Sequence, residues 1–244
     1  MDLSDLPVEG GVRQRGEQVT RLETFVDAAF AFAVTLLVVS FDAMPSSFAE
    51  LYDALRRLPS FLAAFAILAM FWHSHNRFSR NFGLEDSTIV FASMALVAAT
   101  MFYVYPLRMV MSAALSFFTA GWAPNEFRVQ SMTEFRLIFV IYGVGFAVLA
   151  ALMAWMNAHA LRKAELLRLD AAERLATRAE VAAHLALVGC AMLSVLLALT
   201  IPEGMDWMNA LPGLAYGLLG IVMPIMGIHY GRRVQALAAQ RGQD

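Results

Sequence analysis

The chain is 244 residues long, 59% hydrophobic and only 16% charged, with a net charge of −2. Soluble domains average about 45–50% apolar and about 25% charged, so this composition excludes an ordinary water-soluble enzyme and any disordered or collagen-like chain. No basic patch points to nucleic acid, and the lone Cys190 leaves no intrachain disulfide to form.

In chain order, residues 1–23 are polar and carry eight charged side chains, from Asp2 to Glu23. The first apolar stretch therefore reads as a retained membrane span rather than the core of a cleavable signal. Six segments approach the roughly 20 apolar residues that a spanning helix needs: 24–41, 60–76, 88–110, 135–157, 181–200 and 211–230. Residues 42–59 and 111–134, with Pro45, Pro59, Gly121 and Pro124, read as outer loops. Residues 158–180 are rich in Ala, Leu, Glu and Arg and read as a cytoplasmic helical extension of span four or a lead into span five. Gly143 and Gly145 sit mid-span without the strand context of a dinucleotide site, and Gly213, Gly217 and Gly220 suggest close helix packing. With the N-terminus inside, 13 of the 18 Lys and Arg fall on inner segments. The expected architecture is thus an all-α polytopic protein of the cell (inner) membrane, with six transmembrane helices, one domain and both termini cytoplasmic.

Charges inside spans are costly, about 2.5–3.5 kcal/mol each at a helix centre on insertion scales, so they direct attention to Asp27. Span two ends in Phe71-Trp72-His73-Ser74-His75-Asn76-Arg77-Phe78, and Asp27 is expected to accept a hydrogen bond from Trp72, His73, His75 or an Arg. Either a structural clasp or a proton or ion site satisfies that pattern. His73 and His75, two apart, diverge on a helix and make a poor metal pair. At 100° per residue Phe32, Leu36 and Val39 share a stripe flanked by Ala28 and Thr35, and Asp27 points about 140° from Phe32. That stripe lines an apolar pore with Thr35 as its one hydroxyl, or else faces lipid or the core. Ser93, Ser112 and Ser194 are isolated, and no nucleophile-base motif accompanies them, so no enzyme is expected.

The start of span one, RLETFVDAAFAFAVTLLVV, resembles the RxxxFSD signature of the transmembrane protein 175 family of potassium channels, and FWHSHNRF resembles that family's W-x-x-H-x-x-F stretch. Asp86 and Pro106 also fit the pattern, and the resemblance runs over about residues 20–107. It implies, for the bacterial branch, a homotetramer in the lipid bilayer with the first helix lining the pore. Arg21, Phe25 and Asp27 match the signature, and Val26 stands where the family has serine. With Trp72 and His73 they form the implied clasp that holds span one. Phe32 falls on the family's apolar constriction, where isoleucine or leucine is usual. Thr35 falls on the pore threonine, and Leu36 or Val39 on the next layer. The function implied is passive, potassium-preferring cation conduction, with a potassium ion passing transiently near Thr35, no cofactor and no nucleic-acid partner. A proton-coupled transporter using Asp27 and His73, or a structural membrane protein, are the alternatives.

Overall fold

The computed structural model describes residues 6–16, 18–39, 45–127, 129–202 and 206–240. A short antiparallel ribbon, β1 (Val8–Glu9) and β2 (Val12–Arg13), precedes a bundle of long helices. These are α1 (Arg21–Val39), α2 (Phe48–Phe82), α3 (Ser87–Phe118), α4 (Met132–Arg162) and α5 (Ala171–Thr200). A 3₁₀ turn (Asp206–Ala210), the short α6 (Leu211–Leu214) and a second 3₁₀ turn (Ala215–Leu218) lead into α7 (Leu219–Gln240). The helices alternate in direction. The ribbon, the start of α1, the α2–α3 turn and the α4–α5 turn share one end of the bundle, here the ribbon end. The end of α1 and the α3–α4 loop lie at the far end.

Helix boundaries follow local chemistry. Ser47, Asp86, Ser131 and Asp170 each accept a backbone N–H of the first turn that follows, satisfying donors that the helix itself leaves orphaned. Gly83 ends α2 in the left-handed region at φ 55°, its N–H donating to the Ser79 carbonyl. Among the described residues, five segments are long and apolar enough to cross a membrane: α2, α3, α4, α5 and Met208–Gln240. Helix α1 has 19 residues, a rise of about 28 Å, close to the ~30 Å hydrocarbon core.

Three expectations need correction. Residues 48–59, read as loop, are the first turns of α2, because the Ser47 cap starts the helix well before Pro59. Residues 158–180 are not one helix. Lys163 caps α4, Arg168 turns the chain at φ 49°, and a reciprocal Asp170–Glu173 capping box starts α5. The expected close packing at Gly217 and Gly220 is absent, since a Cβ there meets nothing within 4 Å; both lie where 3₁₀ geometry passes into α7 and face away from the other described helices.

The most extensive helix pair is α4 with α5, and α3 packs against α1, α2 and α4. Its centre buries Leu68, Phe71, Leu96, Tyr103, Leu149 and Met153. In lipid the driving force between helices is close packing rather than the removal of water. Gly143 and Gly145 serve that packing. A Cβ on Gly143 would come within 2.6 Å of Val195 Cγ2, and one on Gly145 within 2.6 Å of Tyr103 Cδ2. Tyr103 in turn meets Tyr142, with ring centroids 5.6 Å apart, and Tyr142 meets Tyr216 edge-on at 5.3 Å.

Candidate functional site

Helix α1 has two unlike faces. Val26, Phe30, Ala33 and Leu37, spaced by four, three and four, are buried against α2 and α3. The opposite face carries Arg21, Thr24, Ala28, Ala31 and Thr35, all exposed in the single chain. Phe25 and Phe32 flank it and are 52% and 56% exposed. The Thr35 hydroxyl donates to the Ala31 carbonyl at 3.0 Å, which leaves its oxygen free to accept. Leu36 is half-buried and turned toward α3, lining a cavity with Val104 and Tyr105. Val39 closes the helix, and its side chain lies outside the described residues.

The clasp candidates separate. Trp72 Nε1 donates to Asp27 Oδ1 at 2.8 Å, tying α1 to α2. His73 is exposed and makes no hydrogen bond or ion pair among the described residues, and the same holds for Arg21. His75, almost completely buried, bonds instead to Ser93 Oγ on α3 at 3.0 Å. A period of 3.6 accounts for this division. Trp72 lies on the α1 side of α2, His75 lies on the α3 side, and His73 points outward.

The ribbon end holds an ionic network built from residues far apart along the chain. At the start of α1, Thr20 Oγ1 accepts from the Glu23 N–H at 3.2 Å and Glu23 Oε2 accepts from the Thr20 N–H at 3.3 Å, a reciprocal cap. Glu23, 3% exposed, also pairs with Arg80 Nε at 3.4 Å. Arg80 reaches the Gly16 carbonyl at 3.2 Å, and the Gly16 N–H donates to the Arg80 carbonyl at 2.9 Å. Arg13 and Arg15 both pair with Glu173 of α5, at 3.3 and 3.0 Å, and Arg13 also pairs with Asp170 at 2.8 Å. Arg77 pairs with Glu180. The segment before α1 is thereby fastened to α2 and α5 at once. Its charged residues are scattered through 1–23, and the partners lie up to 160 residues away.

Asp86 caps α3 and pairs with His159 Nε2 and Lys163 Nζ of the α4 terminus, each at 2.9 Å. Burial alone would raise its carboxyl pKa. The hydrogen bonds from Lys163, His159 and the Ile89 and Thr88 N–H groups outweigh that and hold it well below the usual carboxylate range. A depressed folded-state value stabilises the fold above the unfolded value of about 3.9. That contribution is lost as the pH falls below about 4 toward the folded value. Asp86→Asn is therefore expected to lower the melting temperature at neutral pH and to converge with wild type in strong acid. A constant difference across a pH series of thermal scans would count against this assignment.

The match to known proteins follows the same elements. The family model described as endosomal/lysosomal potassium channel TMEM175 matches residues 21–104, which run from the first residue of α1 through most of α3. A protein of Marivirga tractuosa named a potassium channel is 29% identical over 218 residues, covering 87% of this chain and 88% of that one. The crystal structure of the potassium channel MtTMEM175, a threonine-to-alanine variant bound to a nanobody–MBP fusion, superposes with a TM-score of 0.77 at 28% identity. That match covers 95% of this chain and all of the other. The chain is thus similar to TMEM175 channels, from α1 into α3 by the family model and over nearly its whole length by fold. A TMEM175 homologue of Chamaesiphon minutus, described as a lysosomal potassium-selective channel homologue, matches with a TM-score of 0.54 at 18% identity, over 88% of this chain and 96% of that one. That second likeness concerns the fold alone. The TMEM175 relatives are channels and not enzymes, in keeping with spans that hold no nucleophile-base motif.

Proposed function

We propose that this chain is the subunit of a potassium-preferring cation channel of the cell membrane, assembled as a homotetramer with α1 around the pore. The observation that carries the reading is the exposed face of α1. Two threonines and an arginine stand on it beside two uncovered phenylalanines. Polar groups turned to lipid are costly. Other copies of α1 and a water-filled axis would satisfy such a face. Names of the relatives supply the ion. Phe32 would form the apolar neck, which conducts when it wets, and Val39 a further apolar layer, since Leu36 turns toward α3. Thr35 would offer its oxygen to a partly dehydrated potassium ion. Arg21, Phe25, Asp27, Trp72 and His73 would hold α1 in register, with the Trp72–Asp27 bond as the contact already made inside one subunit. The ribbon end would be cytoplasmic, since most Lys and Arg fall on that side. Passive conduction of this kind needs no cofactor.

Reconstituted into liposomes, the protein is expected to pass potassium down its gradient. Phe32→Ala is expected to raise the flux about tenfold, equivalent to ~1.4 kcal/mol off the barrier, or to erode the preference over sodium. If neither protein conducts under any ionic gradient, the channel reading fails. A proton-coupled transporter would join Asp27 to His73, but Asp27 is bonded to Trp72 and His73 faces outward.

A further inference from the structure

Beside the end of α1, at the far end of the bundle, lies a cavity of about 490 Å³, within the size range of ligand pockets. Arg57, Tyr105, Arg108, Ser112, Asn125 and Glu126 supply its polar wall. The two arginines differ. Arg108 is occupied: its Nε donates to Glu126 Oε2 at 2.6 Å, and its Nη1 donates to the Leu37 carbonyl. Arg57 is half-buried, its Nε is shielded from solvent, and no hydrogen bond or ion pair reaches it among the described residues. An arginine cannot discard its charge by deprotonation, and the shielded Nε–H is a buried donor left without an acceptor, which is costly. Glu126 already balances Arg108, so the cavity keeps one positive charge, with the Ser112 hydroxyl and Asn125 amide close by.

We propose that this cavity binds a monoanionic phosphate group, held by the Arg57 guanidinium. The planar fork of arginine matches two phosphate oxygens at once. A single surplus charge suits a phosphodiester or a dihydrogen phosphate rather than a dianion. Two sources share that chemistry: the headgroup of a membrane phospholipid and free inorganic phosphate. Leu36 on the apolar side of the same cavity places the bound group next to α1.

The test is thermal unfolding of the full chain in a non-ionic detergent, with two additives examined separately. One is inorganic phosphate against chloride at equal ionic strength. The other is dioleoylphosphatidylglycerol against an uncharged diacylglycerol in mixed micelles. Wild type is expected to melt several degrees higher in at least one arm. A shift with lipid alone identifies a headgroup site, and a shift with phosphate in water identifies a site open to the free ion. Arg57→Gln is expected to weaken the apparent affinity about tenfold or more, and Arg57→Lys, which keeps the charge but loses the fork, to fall between. No shift in either arm, or an equal shift in Arg57→Gln, overturns the proposal. If Arg57→Gln does not fold, Arg57→Lys decides, and an affinity equal to wild type overturns it. The readout is binding, so it stands or falls separately from conduction.

Discussion

Replacing Glu173 by Gln is expected to destabilise the protein by about 3–5 kcal/mol, the range for removing one partner from a buried ion cluster. Glu173 has no exposed surface. Its Oε2 accepts from Arg13 Nη1 at 3.3 Å, Arg15 Nη2 at 3.0 Å and the Asp170 N–H at 3.0 Å, and its Oε1 accepts from the Arg13 N–H at 2.9 Å. A glutamine keeps one acceptor oxygen but turns an NH₂ toward groups that all donate. Two guanidiniums are left near no balancing charge except Asp170. Thermal unfolding checks the magnitude, and limited proteolysis at residues 6–16 checks the place, because the ribbon is expected to release before the helices melt. Arg77→Ala is the control. Its pair with Glu180 is about one-third exposed at both ends, and such pairs contribute about 0–1 kcal/mol. A Glu173→Gln protein with an unchanged melting temperature and a protected ribbon would sink this account.

The second large effect is expected at Gly143. The backbone of α4 comes so close to α5 there that even a Cβ lies 2.6 Å from Val195 Cγ2 and 3.2 Å from the Ala191 carbonyl. A side-chain methyl of Val195 has some freedom, whereas a backbone carbonyl has little. Alanine therefore sets a gain of about 1 kcal/mol in helix propensity over Gly against a modest displacement, and its net effect is expected to be small. Leucine cannot be seated without separating the two helices. Overpacking of this kind costs about 1–3 kcal/mol and occasionally more, and here it falls on the most extensive helix pair of the bundle. Gly143→Leu is expected to lower the melting temperature clearly, and Gly189→Leu is not, because a Cβ at Gly189 meets nothing within 4 Å. Equal changes at the two glycines would show that the close approach of α4 to α5 does not set the result.

What the sequence discloses here divides along a physical line. Apolar runs disclose the helices, because span length is fixed by the bilayer: five of the six segments fall inside helical stretches, and the first, 24–41, follows α1 to Val39, with residues 40 and 41 outside the described residues. Their ends were less legible. Ser47, Asp86, Ser131 and Asp170 are the caps, but Ser and Asp are common outside caps, and the apolar run stops short of the helix in α2. At the site, the helical period places Phe32 and Thr35 away from the buried face of α1, and Trp72 emerges as the partner of Asp27. The choice among Trp72, His73 and His75 depended on which side of α2 meets α1, which is a property of the packed bundle. The Arg13–Glu173 and Arg15–Glu173 pairs were illegible for the same reason: a charge pattern reveals neighbours three or four residues apart on one helix, not partners across the chain. The Gly143 and Gly145 contacts were hidden in the same way, since a glycine in a span does not announce which helix approaches it.

The ribbon also has a consequence for the order in which the molecule is made. Its residues are synthesised before the helices, yet what holds them comes late: Glu173 on α5, and Val234 on α7, whose Cγ1 lies against Gly11. Helix α1 must therefore enter the bilayer with its leading end untied and wait until α5 and α7 have been synthesised. Until then Glu23 has only the local Thr20 cap and, once α2 is complete, Arg80. The final fastening is thus a late event of biosynthesis. A ribosome stalled before α5 would leave the first helix inserted but unanchored, and a chain interrupted between α5 and α7 would leave it half secured.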